Sequence, residues 1–144
     1  MLNKSVSFLM TADELVTVTV KDSLGTVRQL LSERPIHHIP VLDGAKLVGI
    51  ISSTDLLRLG VGLEYQGDTT PDTRLDESFP VVQVMETSLV TLGPKDTLRR
   101  AAQLLLEESF HSLPVVDGEG ELVGILTTRD LLRYMIEQDA ESGL

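Results

Sequence analysis

Apolar and polar positions follow one arrangement along this chain, and the arrangement occurs twice. A short run of β-branched residues comes first, and apolar residues at the three-and-four spacing of a helix follow it. Two nearly continuous apolar runs joined by an Asp-Gly pair then predict a β-hairpin, and a second helix follows. Each copy therefore predicts strand, helix, strand, strand, helix, which is a mixed α/β fold. The predicted strands lie at 16–18, 39–42 and 47–51 in the first copy and at 90–92, 113–116 and 122–126 in the second.

The start of each predicted helix carries residues that commonly cap helices. Side chains of Ser, Thr and Asp accept hydrogen bonds from the free N–H groups of a first helical turn. Such residues precede the first helix of each copy, and the second helix is predicted to begin at a Ser or a Thr. These starts lie at Asp22-Ser23, Ser53, Asp96-Thr97 and Thr128.

The two copies are repeats of one sequence unit. Residues 16–44 align with 90–118 without a gap, and 14 of the 29 positions are identical. Two such repeats packed together bury apolar helix faces that one repeat leaves exposed, and we expect pseudo-two-fold symmetry with ligand-sized clefts between the copies. We predict repeat 1 over 1–59, a connecting segment over 60–79, repeat 2 over 80–138 and a frayed tail over 139–144.

Composition and charge restrict the classes of function. The 144 residues include 12 Lys and Arg against 22 Asp and Glu, which gives a net charge of −10 at pH 7. This excess of acid disfavours nucleic acid as a partner, because binding to phosphates requires clustered cations. The chain has no Cys, so disulfides, thiolate zinc sites and thiol catalysis are excluded.

The hydropathy pattern predicts a protein outside the membrane. The apolar patch at 6–10 follows a single cation, Lys4, and Asp13-Glu14 come soon after it, so the patch is too short for a signal peptide. No apolar stretch approaches the roughly 20 residues of a membrane-spanning helix. We therefore expect a cytoplasmic protein with no membrane partner.

A polar motif near the end of each copy has two interpretations. Ser52-x-x-Asp55 and Thr127-x-x-Asp130 lie where a strand ends and a helix begins. At this spacing they form a helix capping box, with Asp in place of the usual Glu. A helix start also favours anions, and the two oxygens of a carboxylate match the vicinal hydroxyls of a ribose. The two interpretations are compatible, and spacing alone favours capping.

The chain contains no motif that predicts catalysis or a protein-held metal. Its three His lack a ligand spacing such as His-x₃-His on a helix. A nucleophile elbow, a Walker A loop and the Rossmann glycine motif are also missing. We therefore expect no enzymatic activity, no metal site and no resident cofactor.

An ordered set of motifs recurs in both copies. It comprises the openings Val6-x-x-Leu9-Met10 and Val81-x-x-Val84-Met85, the runs Ile39-Pro40-Val41-Leu42-Asp43 and Leu113-Pro114-Val115-Val116-Asp117, and the Gly-x-x-Ser/Thr-x-x-Asp-Leu ends at 49–56 and 124–131. This set resembles a tandem pair of CBS domains, the arrangement called a Bateman module. The likeness covers nearly the whole chain apart from the connecting segment and the tail. Each motif alone is weak, whereas the ordered set present twice is specific.

The resemblance implies a regulatory, non-catalytic module that binds a small ligand. Family members bind adenosine compounds such as AMP, ADP, ATP and S-adenosylmethionine in the clefts between their repeats. By position, Asp55 and Asp130 would hold ribose hydroxyls. The residues beside ribose and phosphate would be Ser52, Thr54, Thr127, Arg129, His37, His38 and His111, and those beside the adenine Thr17, Val18, Ile39, Pro40, Thr91, Leu92, Leu113 and Pro114.

The positions next to two equivalent histidines depart from the family pattern. CBS pairs with a His-Arg-h-Pro-Val pattern have an Arg after the His, whereas this chain has His38 and Ser112 there. Fewer fixed cations weaken the binding of a triphosphate, because charge-assisted contacts are the strong ones for phosphate. A monophosphate, a nucleoside-like ligand or ATP screened by Mg²⁺ fits better, and the two clefts are expected to differ in affinity.

Two functions are compatible with the sequence. One is a ligand sensor whose output passes to an effector protein, which requires that the ligand prefer one arrangement of the repeats. The other is a structural or dimerisation module with degenerate clefts, which the missing Arg and the negative field favour. An apolar stripe either faces a second copy, giving the homodimer we expect, or is buried within the chain's own core; it consists of Leu131, Leu132, Met135 and Ile136.

Overall fold

The computed structural model describes residues 1–58, 79–108 and 110–141. The order of elements confirms a mixed α/β fold with two similar repeats. The elements are α1 (Val6–Leu9), β1 (Val18–Thr19), α2 (Leu24–Glu33), β2 (His38–Asp43), β3 (Lys46–Ser52), α3 (Ser53–Arg58), a short 3₁₀ helix (Val81–Gln83), α4 (Leu98–Glu108), β4 (Ser112–Val116), β5 (Leu122–Thr127) and α5 (Thr128–Glu141).

The chain divides into two compact units, one of which is continuous in sequence. The central unit comprises Val16–Leu89, and the outer unit comprises Met1–Leu15 together with Val90–Leu144. The sequence repeats predicted at 1–59 and 80–138 therefore do not coincide with the two units in space, because each unit includes residues from the beginning of the other repeat. Those repeat boundaries stay a prediction, as do the pseudo-two-fold packing and the clefts between repeats.

The central unit is built on a three-stranded sheet with the strand order β1-β2-β3. Strand β1 pairs with β2 in parallel, and β2 pairs with β3 in antiparallel orientation, which confirms the predicted hairpin. Gly44 lies in the hairpin turn at φ +64°, a conformation that glycine adopts without steric cost. The buried core of this unit consists of Val18, Leu24, Val27, Ile39, Val41, Ile51, Leu56 and Val81.

The outer unit has a two-stranded antiparallel sheet, β4-β5. The strand predicted at 90–92 is wrong for the described residues, because Leu92 forms only an isolated bridge with Val115. In the central unit the N–H of Val20 donates to the carbonyl of Leu42 at 3.0 Å and extends the pairing. Pro94 occupies the position equivalent to Val20, and proline has no N–H to donate.

The four residues predicted to cap the first helices behave differently from one another. Thr97 Oγ1 accepts the N–H of Arg100 at 3.1 Å, which confirms it as the cap of α4. Ser23 makes no side-chain hydrogen bond at the start of α2, so that prediction is wrong. Asp22 and Asp96 accept backbone N–H groups from residues three positions earlier, and they therefore close the turn that precedes each helix.

Each unit contains the segment that comes just before the other unit's repeat in the sequence. Residues 1–11 precede the central unit but belong to the outer one, and residues 79–86 precede the second part of the outer unit but belong to the central one. We call residues 1–11 the N-terminal segment and residues 79–86 the central segment. The N–H of Leu98, at the start of α4, donates to the carbonyl of Lys4 at 2.9 Å, and the N–H of Leu24, at the start of α2, donates to the carbonyl of Phe79 at 2.9 Å. Backbone carbonyls of these segments thus satisfy donors that a helix start leaves free.

The same two segments also pair with the last strand of the unit in which they lie. Thr11 exchanges two backbone hydrogen bonds of 2.9 Å with Ile125, and Glu86 exchanges bonds of 2.8 and 3.0 Å with Ile50. The side chains of Met10 and Met85 pack over glycines of these strands, at Gly124 and Gly49 respectively.

Two predicted segments, the tail and the connecting segment, fall partly outside the described residues. Helix α5 continues to Glu141, three residues into the segment predicted as a frayed tail, while 142–144 lie outside the description. Of the predicted connecting segment, only Phe79 is described, and it packs against the core of the central unit. Among described residues, the helices lack the combination of length and hydropathy that crossing a bilayer requires.

Candidate functional site

Both predicted Ser/Thr–Asp motifs form reciprocal caps at a strand–helix junction. At the start of α3, Ser52 Oγ accepts the N–H of Asp55 at 3.1 Å, and Asp55 Oδ2 accepts the N–H of Ser52 at 2.8 Å. At the start of α5, Thr127 and Asp130 make the same two bonds, each at 3.0 Å. The capping interpretation is therefore confirmed in both units.

Each cap leaves part of its carboxylate available. The caps engage Oδ2 of Asp55 and of Asp130, whereas an ionised carboxylate can accept about four hydrogen bonds. Asp55 Oδ1 lies 4.0 Å from Nη1 of Arg58, whose side chain is 77% exposed. An ion pair this exposed holds the carboxylate weakly. Both Asp side chains are half-buried, so a ligand can reach them.

The strands place the other predicted residues of each copy along one edge of its own sheet. In the central unit, the start of β2 lies beside the end of β3, with His38 opposite Ser52. In the outer unit, Ser112 lies opposite Thr127 in the same way. Because β1 runs parallel to β2, its first residue, Val18, is directed toward the same end of the sheet and lies opposite Val41, three residues into β2.

The predicted phosphate-side residues lie on the surface of these edges. The carbonyls of His37 and His111 accept the N–H of Ser53 and Thr128 at 3.0 and 2.9 Å, so backbone bonds fix both histidines beside a helix start. The side chains are exposed. The exposed residues of this predicted set are His37, His38, Thr54, His111 and Arg129, whereas Ser52 and Thr127 are half-buried.

The predicted adenine-side residues divide into two groups. Six of them are buried, with the side chains of Val18, Ile39, Leu92 and Leu113 at 0–2% exposure within the cores of their own units. These side chains stabilise the fold, so at such positions a base can meet backbone atoms. Thr17 and Thr91 are half-buried and offer side-chain contacts. The buried residues are Val18, Ile39, Pro40, Leu92, Leu113 and Pro114.

One cluster of acidic side chains was missed by the sequence reasoning. Carboxylate oxygens of Asp117, Glu119 and Glu121 lie within 4.8 Å of one another in the turn between β4 and β5. Asp117 Oδ1 accepts the N–H groups of both glutamates at 2.9 Å. The turn itself thus accounts for this cluster without an ion.

Helix α5 presents an apolar face to solvent. Leu131 is buried at 6% exposure, but Leu132, Met135 and Ile136 are exposed at 55, 43 and 70%. The interpretation in which the stripe is wholly internal is therefore wrong. A shallow groove of about 340 Å³ lies on this face and is lined by Arg129, Leu132, Arg133, Ile136 and Glu137.

The chain matches the family model described as CBS domain at two places. The matched residues are 6–62 and 81–137, which together cover most of the chain.

Curated relatives range from proteins of similar length to much longer ones. The chain is 32% identical over 142 residues to the CBS domain-containing protein YhcV of Bacillus subtilis, covering 97% of this chain and 92% of that protein. It is 30% identical over 153 residues to the chloroplastic CBS domain-containing protein CBSX2 of Arabidopsis thaliana, covering 94% and 64%. It is also 30% identical over 118 residues to an inosine-5'-monophosphate dehydrogenase of Korarchaeum cryptofilum, covering 82% of this chain but only 22% of the enzyme.

Two similar crystal structures contain nucleotides. CBSX2 in complex with AMP matches with a TM-score of 0.79 and 31% identity, over 94% of this chain and 98% of that one. The cytosolic domain of the Mg²⁺ channel MgtE in complex with ATP matches with a TM-score of 0.71 and 28% identity, over 92% and 49%.

Proposed function

Because this chain belongs to the CBS domain family, we propose that it is a non-catalytic sensor of adenosine nucleotides. The observation that carries the proposal is the strand–helix junction that recurs in both units. At each junction a half-buried carboxylate that caps the helix lies at the same end of the sheet as exposed polar side chains. The nucleotide complexes of two similar structures support the same ligand class.

We propose that Asp55 and Asp130 accept hydrogen bonds from ribose hydroxyls while they cap their helices. Ser52 and Thr127, with Thr54, Arg129, His37, His38 and His111, then face ribose and phosphate. The backbone of the buried adenine-side positions, together with Thr17 and Thr91, flanks the base.

The scarcity of fixed cations at the junctions favours a ligand with few phosphates. Of the residues proposed to face phosphate, Arg129 has a permanent positive charge, and the whole chain has a net charge of −10. We therefore expect AMP to bind at least as tightly as ATP alone and Mg²⁺ to raise the affinity for ATP, because the metal screens the triphosphate.

Asn substitutions separate the capping role of the two aspartates from the ligand role. Asp55 and Asp130 lie at the third helical position, and an Asn there keeps one oxygen that can accept the N–H of Ser52 or Thr127. Asp55→Asn and Asp130→Asn should therefore lower the stability of the ligand-free protein by only about 0.3–1 kcal/mol each, the loss of a negative charge near a helix start. Each should weaken AMP binding about tenfold at its own junction, because an amide offers one acceptor oxygen in place of two. Calorimetric titration with AMP and thermal unfolding with AMP, ADP, ATP and S-adenosylmethionine measure both effects.

Glu119→Gln is the matched control for the aspartate variants. It removes the same charge at the turn between β4 and β5, away from the strand–helix junctions, and should leave AMP binding unchanged. In the unmodified protein, AMP at about 100 times its dissociation constant should add about 2.7 kcal/mol of stability. No stabilisation by any of the four compounds would favour the structural module, and an undiminished shift in the double Asn variant would leave the aspartates as caps only.

We further propose that the exposed apolar face of α5 mediates a homodimer. Ile136→Asp places a charge on its most exposed apolar residue, at 70% exposure, and should convert the dimer to a monomer of 15.8 kDa. Light scattering coupled to size-exclusion chromatography gives the mass directly. Leu106→Asp on α4, where Leu106 is 83% exposed, is the control and should leave the mass unchanged. A monomeric unmodified chain would contradict this proposal.

The output of the sensor requires a second protein in this proposal. Ligand binding transmits a signal only if the ligand prefers one conformation, and an effector protein must then distinguish the two. We include the cytoplasmic location in the proposal, because the proposed ligands are metabolites of that compartment.

A further inference from the structure

The N-terminal and central segments connect the two units in a reciprocal way. The N-terminal segment pairs with β5 through Thr11 and Ile125, and the chain then runs directly into Thr17-Val18 at the sheet edge of the central unit. The central segment pairs with β3 through Glu86 and Ile50, and the chain then runs into Thr91-Leu92 of the outer unit. The segment bound to one unit thus continues into the proposed base-contacting residues of the other.

Each segment also pairs with a strand residue that lies two positions before a residue proposed to face ribose. Ile125 precedes Thr127 by two residues on β5, and Ile50 precedes Ser52 by two residues on β3. The side chain of Met10 packs over Gly124 so closely that a Cβ at that glycine would lie 2.5 Å from Met10 Sδ. Each segment is therefore in direct contact with the strand that leads to the helix cap.

The two short connections have defined conformations. In residues 12–17, Glu14 has a φ of +55°, a left-handed conformation that costs roughly 1–2 kcal/mol for a residue with a Cβ and persists where its surroundings impose it. In residues 87–91, the N–H of Ser88 donates to the side chain of Glu86 at 2.9 Å and closes a turn. Each connection is five or six residues long and has backbone hydrogen bonds at both ends.

We infer that these connections couple the two proposed ligand sites: a change in how a segment is held on one unit alters the base-contacting residues of the other. Where it concerns ligand, this inference rests on the proposed function. The coupling is reciprocal, because an effect of the first site on the second implies an equal effect of the second on the first.

Amide hydrogen exchange tests the connection without any ligand. Met10→Ala loosens the N-terminal segment on the outer unit, and Phe8→Ala is a milder variant, because Phe8 is 57% exposed and contacts the ring of Tyr134. Both should speed exchange at residues 16–20 of the central unit, where the N–H of Val20 is hydrogen bonded to Leu42. Insertion of Gly-Ser after Ala12 should abolish this transmitted effect.

Amide exchange at residues 16–20 also provides the control and the result that would contradict the inference. Leu106→Ala, at an exposed position of the outer unit, should leave residues 16–20 unchanged. Faster exchange at Thr11 and Ile125 with no change at residues 16–20 in either variant would overturn the inference.

Titration with AMP tests whether the connection carries ligand information. In an Asp130→Asn background, binding reports on the junction at Asp55, and adding Met10→Ala should change that affinity by about fivefold. An unchanged affinity would overturn the coupling of sites. If AMP binds nowhere in the unmodified chain, the proposed function fails, and the exchange measurement still decides whether the connection transmits movement.

Discussion

Val6→Asp should unfold the outer unit while the central unit stays folded. Val6 is 0% exposed and belongs to the core that Leu98, Leu113 and Leu126 form more than 90 residues later. An unpaired carboxylate in such a core costs about 4 kcal/mol or more, which is a large part of the roughly 5–15 kcal/mol that stabilise a domain. The central unit is continuous from Val16 to Leu89 and has a core of its own, so it does not require Val6.

Amide hydrogen exchange resolved by residue distinguishes the two units in this experiment. In Val6→Asp, protection should be lost over 110–141 and retained over 18–56. Val81→Asp is the reciprocal variant, because Val81 is 0% exposed in the core of the central unit, and it should unfold that unit. Val82→Asp is the control, at a neighbouring position that is 43% exposed. Loss of protection in the opposite unit would show that the N-terminal and central segments are assigned to the wrong units.

Gly124→Ala should be the second most damaging change, although it adds a single methyl group. An ideal Cβ at Gly124 lies 2.5 Å from Sδ and 2.9 Å from Cγ of Met10, and 3.0 Å from the carbonyl oxygen of Thr11. Such contacts force the N-terminal segment away from β5, and overpacking of this kind costs about 1–3 kcal/mol. Denaturant-induced unfolding measures the loss as a fall in the transition midpoint.

Removing the opposing methionine should restore part of this stability. In a double-mutant cycle, Met10→Ala should be less harmful in the Gly124→Ala background than alone, because it removes the clash. Rescue should be more complete for Gly49→Ala with Met85→Ala, since the nearest backbone atom there lies at 3.2 Å. Gly118→Ala, which has nothing within 4 Å, is the control. Additive effects in both cycles would mean that the methionines do not set the cost.

Local features of the fold were predictable because each depends on neighbouring residues. The spacing of Ser52 and Asp55 fixes a capping box within one turn, and the structure contains it with bonds of 2.8 and 3.1 Å. The Asp-Gly pairs similarly predicted both hairpins. The caps and strand ends of the candidate site were predictable for the same reason, since they depend on neighbouring residues and recur at equivalent positions of the two repeats.

Features that depend on distant residues were not predictable from the same patterns. The strand expected at 90–92 depends on a donor that Pro94 lacks, and comparison with Val20 reveals this only once the pairing with Leu42 is known. The composition of the units was missed because the opening of a repeat is equally apolar whichever core it joins. The available signal was that both repeats contain an equivalent methionine, Met10 and Met85, and an equivalent glycine, Gly49 and Gly124. In the structure each methionine packs over the glycine of the other repeat.

The interruption of the outer unit by the central unit has a consequence for how the chain matures on the ribosome. Residues 16–89 can complete their own core as soon as they emerge, whereas Val6 must wait until the strands and helices beyond Val90 have been made. At the usual pace of translation, about 5–20 residues per second, the 55 residues from Val90 to Leu144 take roughly 3–11 s. During that interval Val6 and its apolar neighbours have no core to pack into, so the outer unit can form only after synthesis of the central unit is finished.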